Sequence, residues 1–324
     1  MAYAIRVHQT GGPEVLHYEA VEVGMPGPGE VRVKHHAIGL NYIDVYFRTG
    51  LYPQPLPGVI GKEAAGVIEA VGPGVEEVAV GDRVAYACNP NGAYATERVM
   101  PASHLVKLPD AIDFETAAAM MLQGLTAQYL LRRTYPVKAG DTILIHAAAG
   151  GVGLIACQWA RALGATVIGT VSTPEKAALA QAHGCTHTIL YTQEDVAQRV
   201  RALTNGQGVP VVYDSVGKDT LMASLDSLQP RGLFVSYGNA SGPIQNFDLG
   251  LLAQKGSLYV TRPTLFSYTA QRTELLAAAQ ELFDVVLSGQ VKISVNQRFA
   301  LADAAAAHRA LEARQTTGST ILLP

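Results

Sequence analysis

With 324 residues, 48% hydrophobic and 16% charged, the chain is long enough for two cored domains and too apolar to be disordered. A net charge of −3 with no basic run gives nucleic acid no electrostatic reason to bind. No apolar run reaches the ~18 residues that would span a membrane.

In chain order, short β-like runs come first: "AIRVH", "EVRVKHHAIG", "AAGVIEAVG" and "GDRVAYA", separated by Gly/Pro turns such as "PGPGE" and "NPNGAY". This spacing predicts a compact β-rich domain. From about residue 125 the period changes. "DTILIHAA", "ATVIGTV", "HTILY", "VPVVYDSVG", "GLFVSYG" and "SLYVTRP" are too uniformly apolar to have one wet face. They alternate with helix-like stretches, "TPEKAALAQAHG", "EDVAQRVRALTNG" and "DTLMASLDSLQPRG". Buried strands separated by helices predict a doubly wound parallel sheet. After about residue 265 follow a long amphipathic helix, the strand-like "VNQRFA", a second helix and a last apolar run, "STILLP". We expect these to close back onto the first domain, which makes residues 1–124 with 265–324 one domain and 125–264 the other.

The three cysteines, Cys88, Cys157 and Cys185, are far apart and odd in number. That suits reduced thiols in a cytoplasmic protein better than a disulfide framework. Cys157 falls inside a helix and is expected to be packing. The opening "MAYAIRVHQTGG" lacks the basic-then-apolar pattern of a secretory signal.

The stretch from Ile145 to Ser172 reads as strand, glycine turn, helix and strand. Gly150 and Gly153 occupy the second and third positions of G-x-G-x-x-G, one to let backbone approach a phosphate and the other to pack helix on strand. Ala148 replaces the first glycine and needs a turn that accepts a Cβ. The backbone N–H groups of Ala149, Gly150, Gly151, Val152 and Gly153, with the positive end of the helix dipole, suit a pyrophosphate. The acid that would grip an NAD ribose is missing from "TVSTPEKA". Ser172, Thr173 and Lys176 offer donors and a positive charge to a 2′-phosphate, and Tyr191 stands at the end of the next strand. Lys176 alone reads first as an ordinary exposed helix lysine; together with the absent acid it favours NADPH.

Here a resemblance becomes specific. "NYIDVYFRTGLYP", "PGVIGKEAAGVIEAVG", "GDRVAY", "AAAGGVG" and "YDSVG" together resemble the zinc-free quinone oxidoreductases of the medium-chain dehydrogenase/reductase superfamily. The resemblance implies an α/β protein with a GroES-like β-rich catalytic domain and a Rossmann domain, and a cleft that holds NADPH. Where zinc relatives carry a cysteine and a "GHE" histidine, this chain has Asn41 and the Lys62 of "GKE". Neither suits zinc, and His35, His36, His104 and His146 show no ligand spacing, so no metal is expected.

Without zinc to polarise a carbonyl, the acceptor must take electrons readily, as a quinone or conjugated enone does. By resemblance, Asn41, Tyr46 and Tyr52 orient the acceptor oxygen, with core packing as the alternative for the tyrosines. Asp44 is expected to orient backbone or Arg48. Also by resemblance, Thr126 lies beside the nicotinamide ribose, and Gly238, Asn239 and Phe266 line the cofactor. Arg314 and Gly318 return near the adenosine phosphate; Arg314 reads equally as a helix C-terminal cation. Gln123 stands where relatives often carry lysine. A homodimer built on the edge strand "GSLYVTRP" is a further implication, with a small-molecule quinone as the other partner. The competing functions are reduction of α,β-unsaturated carbonyls and a non-catalytic, crystallin-like NADPH-binding role.

Overall fold

The computed structural model describes all 324 residues. They pack as two units, one of Met1–Leu125, Thr269–Leu287 and Ile293–Pro324, the other of Thr126–Tyr268 and Ser288–Lys292.

The first unit begins with β1 (Ala2–Val7), β2 (Leu16–Val21), β3 (Glu30–Leu40), α1 (Tyr42–Thr49), β4 (Gly58–Val59) and β5 (Glu63–Val71). It continues through β6 (Arg83–Ala87), β7 (Glu97–Pro101), β8 (Val106–Lys107), α2 (Phe114–Ala118) and α3 (Met121–Tyr129), whose last turn belongs to the second unit. β3 is the spine and pairs antiparallel with both β5 and β7. It alternates buried and wet residues as far as His36, then stays buried from Ala37 to Leu40. That switch drives the chain inward, so α1 starts at the buried Asn41. Gly39 is required there, because a Cβ would overlap the Glu63 carboxyl and the Ala118 carbonyl oxygen. Ile5, Val7, Val31, Val33, Ile38, Ile68, Val84 and Tyr86 form the core.

The second unit is a single six-stranded parallel sheet. Its strands are β9 (Thr142–Ile145), β10 (Thr166–Val171), β11 (His187–Leu190), β12 (Val209–Asp214), β13 (Leu228–Ser236) and β14 (Tyr259–Thr261), in the order β11-β10-β9-β12-β13-β14. Between and after them come α4 (Gly151–Ala162), α5 (Pro174–Ala182), α6 (Val196–Leu203), α7 (Leu221–Ser227), α8 (Gly250–Gln254) and α9 (Leu265–Tyr268). The order reverses beside β9, where ligands collect in such sheets. Leu144, Ile168, Ile189, Val212 and Phe234 carry the core. One expected boundary moves: "DTLMASLDSLQPRG" does not stay helical. The helix stops at Ser227 and β13 starts at Leu228. Pro230 cannot sit in a helix interior, and Arg231 adopts φ 60°.

The returning segment brings α10 (Arg272–Leu287), β15 (Val295–Ala300), α11 (Ala304–Glu312) and β16 (Ser319–Leu323). β16 lies antiparallel to β3, with Ile321 opposite Gly39, and β15 is parallel to β16.

The turn between β9 and α4 shows how the chain manages without a first glycine. Ala147 takes the left-handed conformation, φ 54°, and Ala148 is fully buried with its N–H on Thr170 O. Room for the Ala148 methyl comes from β10, because a Cβ at Gly169 would lie 2.6 Å from the Ala148 Cβ. It would also lie 2.6 Å from Cys185 Sγ. Gly169→Ala is therefore expected to lower stability by about 1–3 kcal/mol through overpacking, and Ala148→Gly to restore part of that loss. A double-mutant cycle by thermal or urea unfolding measures the coupling; strict additivity would show that the two positions do not share space.

Candidate functional site

In the second unit, the glycine turn leads into α4 with Gly150 as N-cap and no side-chain cap. The first-turn N–H groups of Gly151, Val152 and Gly153 thus have no intrahelical acceptor. The two glycines do different things. A Cβ at Gly153 would meet the backbone, 2.7 Å from Ala148 O, so this glycine serves helix–strand packing. A Cβ at Gly150 would have only Ala147 O nearby, at 3.2 Å, and its φ of −80° suits any residue. Nothing in the protein strictly demands glycine there; its absent side chain leaves backbone accessible to a ligand. The cradle fits a pyrophosphate.

The loops after β10 and β11 lie together, with Thr192 Oγ1 donating to Ser172 O at 3.1 Å and Tyr191 N to Val171 O at 3.2 Å. Ser172, Lys176 and Tyr191 are thereby gathered at one end of the sheet. Thr173 is also engaged by its own helix. Its hydroxyl oxygen accepts from Lys176 N at 3.3 Å, and its hydroxyl hydrogen-bonds the exposed Glu175. This caps α5 and turns Thr173 toward helix initiation.

The carboxyl ends of the middle strands are tied by Asp214, which is wholly buried. It accepts from Val216 N (2.7 Å), Gly217 N (3.0 Å), Thr220 Oγ1 (2.7 Å) and Ser224 Oγ (2.7 Å). Because Ser224 donates to Asp214, it accepts from His146 Nε2 at 3.0 Å, and His146 Nδ1 accepts from Thr170 Oγ1 at 3.0 Å. One chain of hydrogen bonds therefore fixes the ends of β9, β10 and β12. Gly238 packs its Cα against Ser215, where a Cβ would lie 2.8 Å from the Ser215 Cα, so its glycine is a backbone requirement. Asn239 follows in the same loop, whose neighbour Ala240 donates to Ser215 O. Thr126 is buried in α3 and Phe266 half-buried in α9.

In the first unit, Asn41, Tyr46 and Tyr52 come together around α1. Tyr52 N donates to Tyr46 O at 3.0 Å, and the two rings meet edge-on at 5.2 Å. Asn41 Nδ2 donates to Glu63 Oε2 at 2.6 Å, and its Oδ1 accepts from Gln123 Nε2 at 3.1 Å. Leu122 N donates to Glu63 Oε1 at 2.6 Å, and Ser319 Oγ donates to Gln123 Oε1 at 2.6 Å. Burial pushes the Glu63 carboxyl up to about 8 and that of Asp44 up to about 7. Asp44 does orient backbone, accepting from Asn41 N at 2.9 Å and also from Tyr94 OH at 3.1 Å, while its Oδ1 has no partner. The alternative expectation, that it orients Arg48, is corrected. Arg48 forks onto Glu312 at 2.7 and 2.8 Å, the planar geometry it favours, and contacts His308 Nδ1 at 3.2 Å.

Lys62 hydrogen-bonds Asn89 and sits 4.5 Å from the Phe47 ring centroid, with burial lowering its ammonium to about 8. His35 is held between Ala95 O and Tyr86 OH, and His36 stacks on Phe114. No three His, Cys, Asp or Glu side chains are grouped to hold a metal ion. Cys88, Cys157 and Cys185 are free and buried. Arg314 and Gly318 lie in the first unit; Arg314 follows α11 at φ 59°, and its charge bears on Tyr42. Glu63, Tyr94, His308 and Asp214 were not assigned from sequence. The adjacency of Glu63 to Lys62 in "GKE" and the Asp of "YDSVG" were the available signals.

These buried groups set a pH dependence. Glu63 and Asp44 hold their protons to about 8 and 7, above the ordinary 4.5 and 3.8, so their contribution is present at low pH and lost as pH rises through the folded values. His35 and His308 are depressed to about 4 and 3, so theirs is present above 6.5 and lost as pH falls. Below about 6.5 the two sets oppose each other; from about 6.5 toward 8 only the carboxyl loss remains, so stability should fall there. Calorimetry at about pH 6.5 and about pH 8, below the range where the lowered Lys62 ammonium adds the opposite slope, checks the alkaline limb; a higher midpoint at about pH 8 would contradict it.

Known proteins are similar to this chain in sequence and fold. Residues 27–110 match the family described as alcohol dehydrogenase GroES-like domain, and residues 151–281 the family described as zinc-binding dehydrogenase. A quinone oxidoreductase of Pseudomonas aeruginosa is 61% identical, covering 100% of both chains. A 2-haloacrylate reductase of Burkholderia sp is 51% identical, over 100% of this chain and 99% of its own. Among solved structures, Escherichia coli quinone oxidoreductase complexed with NADPH superposes with a TM-score of 0.98 at 51% identity, over 99% of this chain and 100% of that one.

Proposed function

The chain belongs to the quinone oxidoreductase family of the medium-chain dehydrogenase/reductase superfamily, and from that premise we propose that it reduces quinones with NADPH and without a metal ion. The observation that carries the cofactor reading is the uncapped turn at Gly150 beside a ribose-end loop holding Ser172 and Lys176 and no inward acid. The Escherichia coli relative, complexed with NADPH, supports the same reading.

NADPH, when bound, supplies the reducing electrons. The N–H groups of Ala149, Gly151, Val152 and Gly153 hold its pyrophosphate, and Ser172, Lys176 and Tyr191 receive the 2′-phosphate. The Gly150 N–H is held by Ala147 O, while its bare Cα lets the phosphate approach. Thr126, Gly238, Asn239 and Phe266 serve the nicotinamide half. In the first unit, Asn41, Tyr46 and Tyr52 orient the acceptor oxygen by hydrogen bonds. A quinone spreads the added charge over its ring, so neutral donors suffice where a zinc ion would otherwise be needed. The absence of a grouped ligand set and the placement of Lys62 support the metal-free reading.

Reduction of an activated alkene is a second reading, favoured by the Burkholderia 2-haloacrylate reductase at 51% identity. Both acceptors are conjugated. A steady-state comparison of a p-benzoquinone with an enone separates them, and a clear preference for the enone would reverse the assignment. We place the protein in the cytoplasm, which suits its three free cysteines. It pairs as a homodimer through β14, the edge strand, where Tyr259 and Val260 are exposed.

Lys176→Ala should weaken NADPH about tenfold or more, as expected for loss of a charge-assisted phosphate contact, and NADH far less. Fluorescence titration with both coenzymes measures this; equal losses would remove Lys176 from the phosphate site. A chelator should leave turnover unchanged, and activity restored by added zinc would refute the metal-free reading. Val260→Lys should shift sedimentation from dimer to monomer; an unchanged sedimentation profile would place the interface elsewhere.

A further inference from the structure

The Glu63 carboxyl is entirely buried at the end of β3 and β5, yet both its oxygens accept from N–H groups, Asn41 Nδ2 and Leu122 N, each at 2.6 Å. That is the hydrogen-bond pattern of a carboxylate, an acceptor at every position. Its far side continues through Asn41 Oδ1, which accepts from Gln123 Nε2, and Gln123 Oε1, which accepts from Ser319 Oγ. The row has a direction: every donor faces toward Glu63 along it. One N–H of Asn41 is spent on Glu63, and the nitrogen carries a second.

We propose that Glu63 is a positioning residue for the reaction: as a carboxylate it locks the Asn41 carboxamide, with Gln123 holding the other end, in the orientation that keeps its second N–H for the acceptor oxygen. This rests on the quinone-reductase reading given above.

A proton on Glu63 puts an O–H against one of its two donors; the Leu122 N–H is backbone and cannot turn over, so the O–H falls against the N–H of Asn41. The bond then survives only if the carboxamide turns over, which exchanges its free N–H for a lone pair. A quinone oxygen accepts hydrogen bonds and cannot use that lone pair. The groups that bear on Glu63 are Asp44 of α1, Tyr86 of β6 and Tyr94 of the following loop, with Lys62 preceding it in the chain. Burial is the larger cause of its raised proton affinity and Asp44 adds to it by like charge, so the proton leaves only at about pH 8. Ordinary conditions therefore straddle the change.

Three measurements test this. With saturating NADPH and a p-benzoquinone, wild-type kcat/KM should rise through one ionisation near 8. Glu63→Gln keeps its one oxygen on the fixed Leu122 N–H and so places a permanent donor against Asn41. Its profile should be flat and roughly a hundredfold below the wild-type alkaline plateau, the usual loss for a misdirected donor at a charge-bearing oxygen. NADPH affinity by fluorescence should not change. Gln123→Met frees the other end of Asn41 but leaves the titrating group, and Ser319 can turn its one O–H to Ala119 O, 3.0 Å away. It should lower the plateau while keeping the midpoint. Should Glu63→Gln fail to fold, infrared spectra of the wild type report the carboxylic C=O bands of Asp44 and Glu63, and the component lost at the higher pH should vanish with the same midpoint as activity rises.

A flat wild-type profile would overturn the proposal, as would a Glu63→Gln profile with the wild-type midpoint, which would transfer the titration to Asp44. A carboxyl band with a different midpoint would do the same. Failure of the functional reading looks different: NADPH-dependent turnover of no quinone at any pH, in wild type and variants alike, with the carboxyl band still titrating.

Discussion

Three carboxyl groups, those of Asp44, Glu63 and Asp214, are cut off from water, and much of the local architecture follows from the donors they require. A buried carboxylate without hydrogen bonds is costly enough to change its protonation or unfold its surroundings. Asp214 solves this with four donors, two of them backbone N–H groups of the loop it organises. Glu63 has Asn41 Nδ2 and Leu122 N, with the Met121 N–H bearing on it more weakly, and Asp44 has two donors on one oxygen and none on the other. The better-supplied acid anchors the nucleotide-type sheet. The two under-supplied ones stand around Asn41, and burial raises both their proton affinities. Rigid support and titratable chemistry thus arise from the same constraint, separated by how many donors each carboxyl receives.

The sheet was legible in the sequence because strands buried on both faces are apolar without interruption. "TILI" and "TVIGTV" carry that pattern directly, and a glycine turn between them is hard to read otherwise. The start of β13 was not legible, since "LQPRG" has helix-like spacing with the preceding residues and only Pro230 argues against it. At the site, local signals such as Thr173 before Pro174 announced a helix start, and the cap is there. The phosphate role of Thr173 was read from its hydroxyl beside the missing acid, and that hydroxyl also serves its own helix.

What stayed hidden were contacts of long sequence separation. Glu63 meets Asn41 from 22 residues away and Leu122 from 59, and Ser319 reaches Gln123 across 196. No periodicity encodes such pairs; Glu63 reaches Asn41 because β5 lies beside β3, and Ser319 reaches Gln123 because β16 returns to the other side of β3. Arg48 illustrates the point: a partner four residues back on its helix was the natural expectation, and a carboxylate 264 residues on has it instead. Polar residues inside a core choose partners by tertiary geometry, whereas apolar ones need only a face.

The turn at Ala148 shows that a small-residue requirement belongs to a pair of facing backbones rather than to one letter of a motif. Here β10 yields the volume through Gly169, and the loop keeps its methyl group. Homologues that restore glycine to the loop are thereby released to carry bulk on the strand, so the two positions should drift together. A nucleotide turn sought by its first glycine alone will be overlooked wherever the neighbouring strand has made the concession.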